Sequence, residues 1–250
     1  MPNQSSTPLR AAVEAGLLRL GAGAEVARVE DTMIRLARAF GLEAEVMVLP
    51  TMILMTADGE SVMRRVRTRR TNLAVIERVN QWSREVAAGT LTADDLARRL
   101  VGVGEFHRYS SSTQAIMAGL AAAALALLFG GTLFTLPWAF LSGVLAQVIR
   151  LGFRRVGSGV LGDLAAAAGA VLPAFLAASF PGTHPDLVVV GGIMVLVPGV
   201  LLTTGVRDGM SGDLLSSLAR LLEAALIAAA IAGGASLALF VFVHLGGRWP

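Results

Sequence analysis

Residues 115–134 form a stretch of 20 positions without a single charged side chain. At about 1.5 Å of rise per residue, a helix of that length crosses roughly 30 Å, the hydrocarbon thickness of a bilayer. Four further apolar segments follow, at about 136–153, 160–180, 187–206 and 213–245. A chain of 250 residues that is 54% hydrophobic cannot hide so much apolar surface in one core. Charge is distributed accordingly. Of 39 charged residues, 28 precede Ser110, leaving 11 for the rest of the chain, so the two regions face different solvents. The expected fold is an α-helical integral membrane protein with about five transmembrane helices, preceded by a small soluble α+β domain. The boundaries are 1–110 for that domain and 111–250 for the membrane domain.

The pI of 10.8 does not mark a nucleic-acid binder. The formal net charge is only +3, every basic residue is Arg, and both signs are interspersed, which describes a solvated surface rather than a phosphate track. The absence of cysteine excludes disulfides, zinc-thiolate sites and cysteine catalysis. His107, His184 and His244 have no metal-ligand spacing, and no phosphate loop or nucleophile motif occurs, so no metal or cofactor is expected. Residues 1–20 lack the unbroken apolar core of a signal peptide, so the N-terminal domain is expected to stay in the cytoplasm.

Within residues 7–100, Thr7-Pro8 reads as an N-cap with proline at the first helical position, and Leu9, Val13, Leu17 and Leu20 follow at helical spacing. A second helix runs from about 24 to 40 and stops at Gly41. Residues 43–68 are rich in Val, Met and Ile, broken by Pro50 and by Asp58-Gly59, which predicts three short strands. A helix from Asn72 to Gly89 follows. Thr92 with Asp95 then resembles a capping box for a last short helix. Residues 102–113 form a polar linker whose Phe106, His107 and Tyr109 suit a membrane–water boundary.

The connection between the second and third apolar segments carries Arg150, Arg154 and Arg155, and that between the fourth and fifth carries Arg207. The opposite loops carry none, and Arg248 is the one dissenting charge. The positive-inside rule therefore puts the N-terminal domain in the cytoplasm and Pro250 outside.

Ionisable groups in or beside a span are the natural candidates for chemistry, because a charge at a helix centre costs about 2.5–3.5 kcal/mol on insertion scales. Asp163, Arg220 and Glu223 qualify. Helix-start placement for Asp163, and the i, i+3 spacing of Arg220 and Glu223, supply structural alternatives. Pro198-Gly199 interrupts the fourth segment; proline removes a backbone hydrogen bond, and such broken helices build midplane binding sites in transporters, although packing kinks are as common. Thr203, Arg207, Asp208 and Asp213 add hydrogen-bonding groups just beyond it, with Asp213 also an N-cap for the fifth segment.

Three stretches resemble the threonine/serine exporter family: GAGAEVARVEDTMIRLARAFGL at 21–42, RRTNLAVIERVN at 69–80, and GGIMVLVPGVLLTTGVRDGMSGDLLSSLARLLEAAL at 191–226. The resemblance implies a multi-pass inner-membrane secondary transporter that exports small carboxylate-bearing metabolites, threonine and serine or a C4 dicarboxylate such as succinate. It also implies that the chain is similar to the larger component of a two-protein form, with a smaller membrane protein supplying the second half. A homo-oligomer is compatible with this. Arg207 or Arg220 would then be the counter-charge for a substrate carboxylate, with Asp163 facing them. Two rivals use the N-terminal domain instead: a membrane-anchored enzyme acting through Glu30 and Asp31, or a regulatory scaffold that senses a metabolite.

Overall fold

The computed structural model describes residues 7–66, 71–103, 109–157 and 159–245. Phe106, His107, Arg248, Pro250, and Arg69 and Arg70 of the second motif lie outside the described residues, as do the side chains of Arg154 and Arg155. The chain divides into two compact units, one of Met1–Arg108 with Val200–Leu222 and one of Tyr109–Gly199 with Glu223–Pro250.

The first unit opens with α1 (Thr7–Gly21) and α2 (Val26–Ala39), continues through β1 (Ala44–Leu49), β2 (Met52–Ala57) and β3 (Glu60–Arg65), and adds α3 (Leu73–Ala87) and α4 (Ala93–Val101). Local chemistry sets these limits. Gly41 takes φ +73°, and Leu42 N and Gly41 N donate to Ala37 O and Arg38 O, which closes α2 with a left-handed residue where a Cβ would be strained. Asp58 and Gly59 both have positive φ, the geometry of the tight turn that joins β2 to β3. Asn72 Oδ1 accepts from Val75 N and Thr92 Oγ1 from Asp95 N, capping α3 and α4.

The antiparallel sheet has the order β1-β2-β3, with Val46 opposite Met55 and Met55 opposite Val62. Alternate residues of β2, Ile53, Met55 and Ala57, turn inward to join a core of Leu9, Val13, Leu20, Met33, Leu36, Val79 and Leu96. Each fully buried Leu, Val or Met contributes about 1.5–3 kcal/mol.

The second unit packs α5 (Ser111–Leu128), α6 (Leu136–Val156), α7 (Gly159–Ala177) and α8 (Pro185–Met194) against one another. Gly157, at φ +84°, terminates α6 and allows the tight reversal into α7. Interhelical contacts here are made by small residues, which lets backbones approach in a medium that supplies no hydrophobic drive between helices. A Cβ on Gly191 would lie 2.5 Å from Ala122 O, and Ser142 Oγ donates to Ala170 O at 2.5 Å, tying α6 to α7. The remaining helices are α9 (Gly199–Met210) and α10 (Leu214–His244).

Among the described residues, α5, α6, α7 and α10 are each long and apolar enough to cross a membrane, and α8 with α9 passes the same test only as a bent pair, a broken span or a re-entrant loop, which gives four or five spans. Their outward residues, such as Leu128, Leu141, Leu176 and Phe240, are apolar and exposed. The protein is a multi-pass membrane protein carrying a small α+β domain.

Candidate functional site

The fourth apolar segment is two helices. α8 ends at Met194, Leu196 N and Val197 N reach back only to Ile193 O and Met194 O, and Gly199 N donates to Val197 O at 2.9 Å before α9 begins. Pro198, which has no N–H to offer the ladder, is buried in this break, and Gly199 is the first residue of α9. One turn on, Thr203 is exposed and donates to Val200 O.

In the first unit, Asp208 and Arg220 are 0% and 2% exposed, with Arg220 Nε 2.8 Å from Asp208 Oδ2. The contact is one of charge, since neither atom has a hydrogen-bond partner in good alignment. The other Asp208 oxygen accepts the backbone N–H of Val26 at 3.1 Å. Glu25, at the N-cap position of α2, makes no side-chain cap, so Asp208 takes that role from a distant part of the chain and sets its negative charge at the positive end of the α2 dipole. Arg220 spends its remaining donors on Ala24 O at 2.6 Å and, at 3.4 Å, on Gly23 O and Thr204 Oγ1. Close packing supports this: a Cβ on Gly205 would meet Arg220 Cβ and Leu221 at 3.2 Å. Neighbouring Arg207 is exposed and pairs with Glu25 at 2.8 Å, while Glu25 also holds Arg28.

Asp213 immediately precedes α10. Its backbone N–H reaches Asp208 O, and its own carbonyl accepts from Ser217 N. Its charge also acts on Glu30, whose pKa is raised, first by burial and then by Asp213 and Asp31 against the lowering effect of a hydrogen bond from Val48 N at 3.0 Å. That bond commits Glu30 to joining α2 and β1.

In the second unit, Asp163 is buried near the start of α7 and lies 2.7 Å from Arg150 Nε on α6. The two flank the α6–α7 reversal at similar distances along their helices, which brings an acid and a base together on apolar spans. Gln147, one turn before Arg150, reaches Gln114 of α5 at 3.5 Å. Glu223 is exposed on α10.

The structure thus joins Arg207, Asp208 and Arg220 to residues 23–26, lets the Asp213 charge act on Glu30, and joins Asp163 to Arg150. By sequence alone Arg150 counts only as a loop charge, and Glu25 and the carbonyls of Gly23 and Ala24 have no part. The signal for Arg150 was available, because residues equidistant from a tight helix reversal face each other. Among the described residues no group of His, Asp or Glu side chains could hold a metal ion.

Residues 10–242 match the family described as "Putative threonine/serine exporter". A "Probable threonine/serine exporter" of Mycobacterium tuberculosis is 29% identical over 230 residues, which covers 88% of this chain and 43% of the relative, so the chain spans less than half the length of that protein. No solved structure matches. The chain belongs to the threonine/serine exporter family.

Proposed function

We propose that this chain is one part of an exporter for threonine and serine, and that the Arg150–Asp163 pair recognises the substrate. The observation that carries the reading is this pair, an acid and a base 2.7 Å apart on adjacent apolar spans. A zwitterionic amino acid can replace each partner's counter-ion in one event, its carboxylate on the Arg150 guanidinium and its ammonium on Asp163. A C4 dicarboxylate would bring a second negative charge toward Asp163, which disfavours succinate. Arg220 already has its counter-ion in buried Asp208 and is held by two backbone carbonyls of residues 23–24, so the counter-charge role moves to Arg150, with Arg207 at the surface as the lesser candidate.

In this reading residues 1–110 form a cytoplasmic domain and residues 111–250 the membrane domain. The Arg-bearing connections support that orientation, as does the bonding of Asp208 and Arg220 to residues 23–26, which keeps the 207–220 stretch on the side of the N-terminal domain. The break at Pro198-Gly199 serves as a hinge or lining element beside the substrate path. The match to 43% of a longer relative supports a second half to the exporter, and a smaller membrane protein is the proposed source of it.

The test is efflux of labelled threonine, serine and succinate from cells that hold this chain, the second half, or both. Threonine and serine efflux with both halves, and not with either alone, is expected. Succinate efflux alone would reject the substrate assignment, and no efflux from any combination would reject the function.

A further inference from the structure

Two arginines in the first unit stand against one polar seam without an acid. Arg19 of α1 is only 3% exposed; its Nη1 donates to Thr32 Oγ1 of α2 and, at 3.4 Å, to Asn80 Oδ1 of α3, while its Nε is buried with no acceptor. Arg35 lies one turn beyond Thr32 on α2 and donates to Ser83 Oγ at 3.1 Å; that buried hydroxyl donates on to Asn80 O at 2.8 Å. Among the described residues neither guanidinium forms an ion pair.

A buried cation without a counter-ion carries a desolvation penalty that no attraction offsets. Here a second cation adds to it. The Arg19 pKa is lowered to about 10, by burial first and then by repulsion from Arg35 and Arg28, with Asp31 and Glu25 offsetting only part from a distance. It is still charged at neutral pH. Two guanidiniums that share one hydrogen-bonded chain of neutral partners, one of them with a buried Nε lacking any acceptor, are complementary to a small carboxylate, which accepts from guanidinium through two parallel bonds.

We propose that Arg19 and Arg35, with Asn80 and Ser83, form a binding site for the carboxylate of a small metabolite on the N-terminal unit, distinct from the membrane pair and independent of the transport reading. The site gives the domain a ligand of its own.

The test is thermal unfolding of the full chain in detergent at constant chloride, with L-serine, succinate or inorganic phosphate added. Binding to the native state raises Tm with ligand concentration. The expected result is a saturable rise with at least one of the two carboxylates. In the Arg150→Gln background, which removes binding at the membrane pair, the rise should remain, and adding Arg35→Gln at a half-buried position should abolish it. Asn80→Asp, nearly isosteric, should raise Tm without ligand, because it supplies the missing acid beside Arg19, and should abolish any further rise. No rise with either carboxylate, a rise with phosphate alone, a rise lost in Arg150→Gln, or a rise in Arg150→Gln that is unchanged when Arg35→Gln is added would each overturn the proposal.

Discussion

Asp208 accepts the backbone N–H of Val26 across 182 positions of sequence, so a carboxylate at the end of a broken apolar segment caps the second helix of the N-terminal region. The same carboxylate neutralises Arg220, which in turn holds the carbonyls of Gly23 and Ala24. One buried acid therefore satisfies a helix terminus and a buried base together.

Removing that acid should be far more damaging than removing its exposed neighbour. Asp208→Ala leaves Arg220 buried and uncompensated, a loss of about 3–5 kcal/mol. Arg207→Gln breaks a surface pair worth about 0–1 kcal/mol. Thermal melts in detergent should show a large fall in Tm for the first variant and little change for the second.

Burial raises the Glu30 pKa above its ordinary 4.5. An acid raised in the folded state favours folding while it is protonated. That contribution is complete below about 4.5 and is lost as pH climbs through the higher folded value. Glu30→Gln should remove this dependence, flattening the decline in Tm from pH 4 to 7, and should leave the variant at least as stable at pH 7. The comparison of melts across that range checks both.

Adjacent glycines on α10 should behave in opposite ways. A Cβ on Gly234 would sit 2.1 Å from Leu164 O, a backbone atom that cannot step aside, whereas Gly233 has nothing within 4 Å. Gly234→Ala should cost about 1–3 kcal/mol through overpacking. Gly233→Ala should be neutral or gain up to about 1 kcal/mol in helix propensity. Yield of monodisperse protein and Tm measure the difference.

Features written in neighbouring residues were legible in the sequence. The Asp58-Gly59 turn, the Asn72 and Thr92 caps, the Gly41 stop and the uncharged runs rest on backbone conformation and local polarity, so they could be read without a fold. The partners of Arg220 could not. Its i, i+3 spacing to Glu223 suggests a local pair, but nothing near it in sequence points to Asp208, or to the two carbonyl acceptors that lie 196 and 197 positions away. Arg150 and Asp163 were visible as charges, but their contact depends on the register of two helices around Gly157. Long-range pairing of this kind follows from packing, which no short window of sequence encodes.

Pro198→Ala should let the ladder continue from α8 into α9 while the protein remains inserted. Initial rates of serine efflux are expected to fall at unchanged protein level. Normal rates with normal substrate preference would make the break a packing feature.

Counterflow of labelled L-serine into vesicles holding this chain and its second half tests the central claim most directly, with wild type compared against Arg150→Gln and Asp163→Asn at matched protein content. Losing one partner of a buried charge recognition costs about 2 kcal/mol or more, so each exchange should slow subsaturating uptake roughly thirtyfold or more. Serine counterflow within about twofold of wild type in both variants, a difference of less than about 0.5 kcal/mol, would contradict the assignment of Arg150 and Asp163 to the substrate.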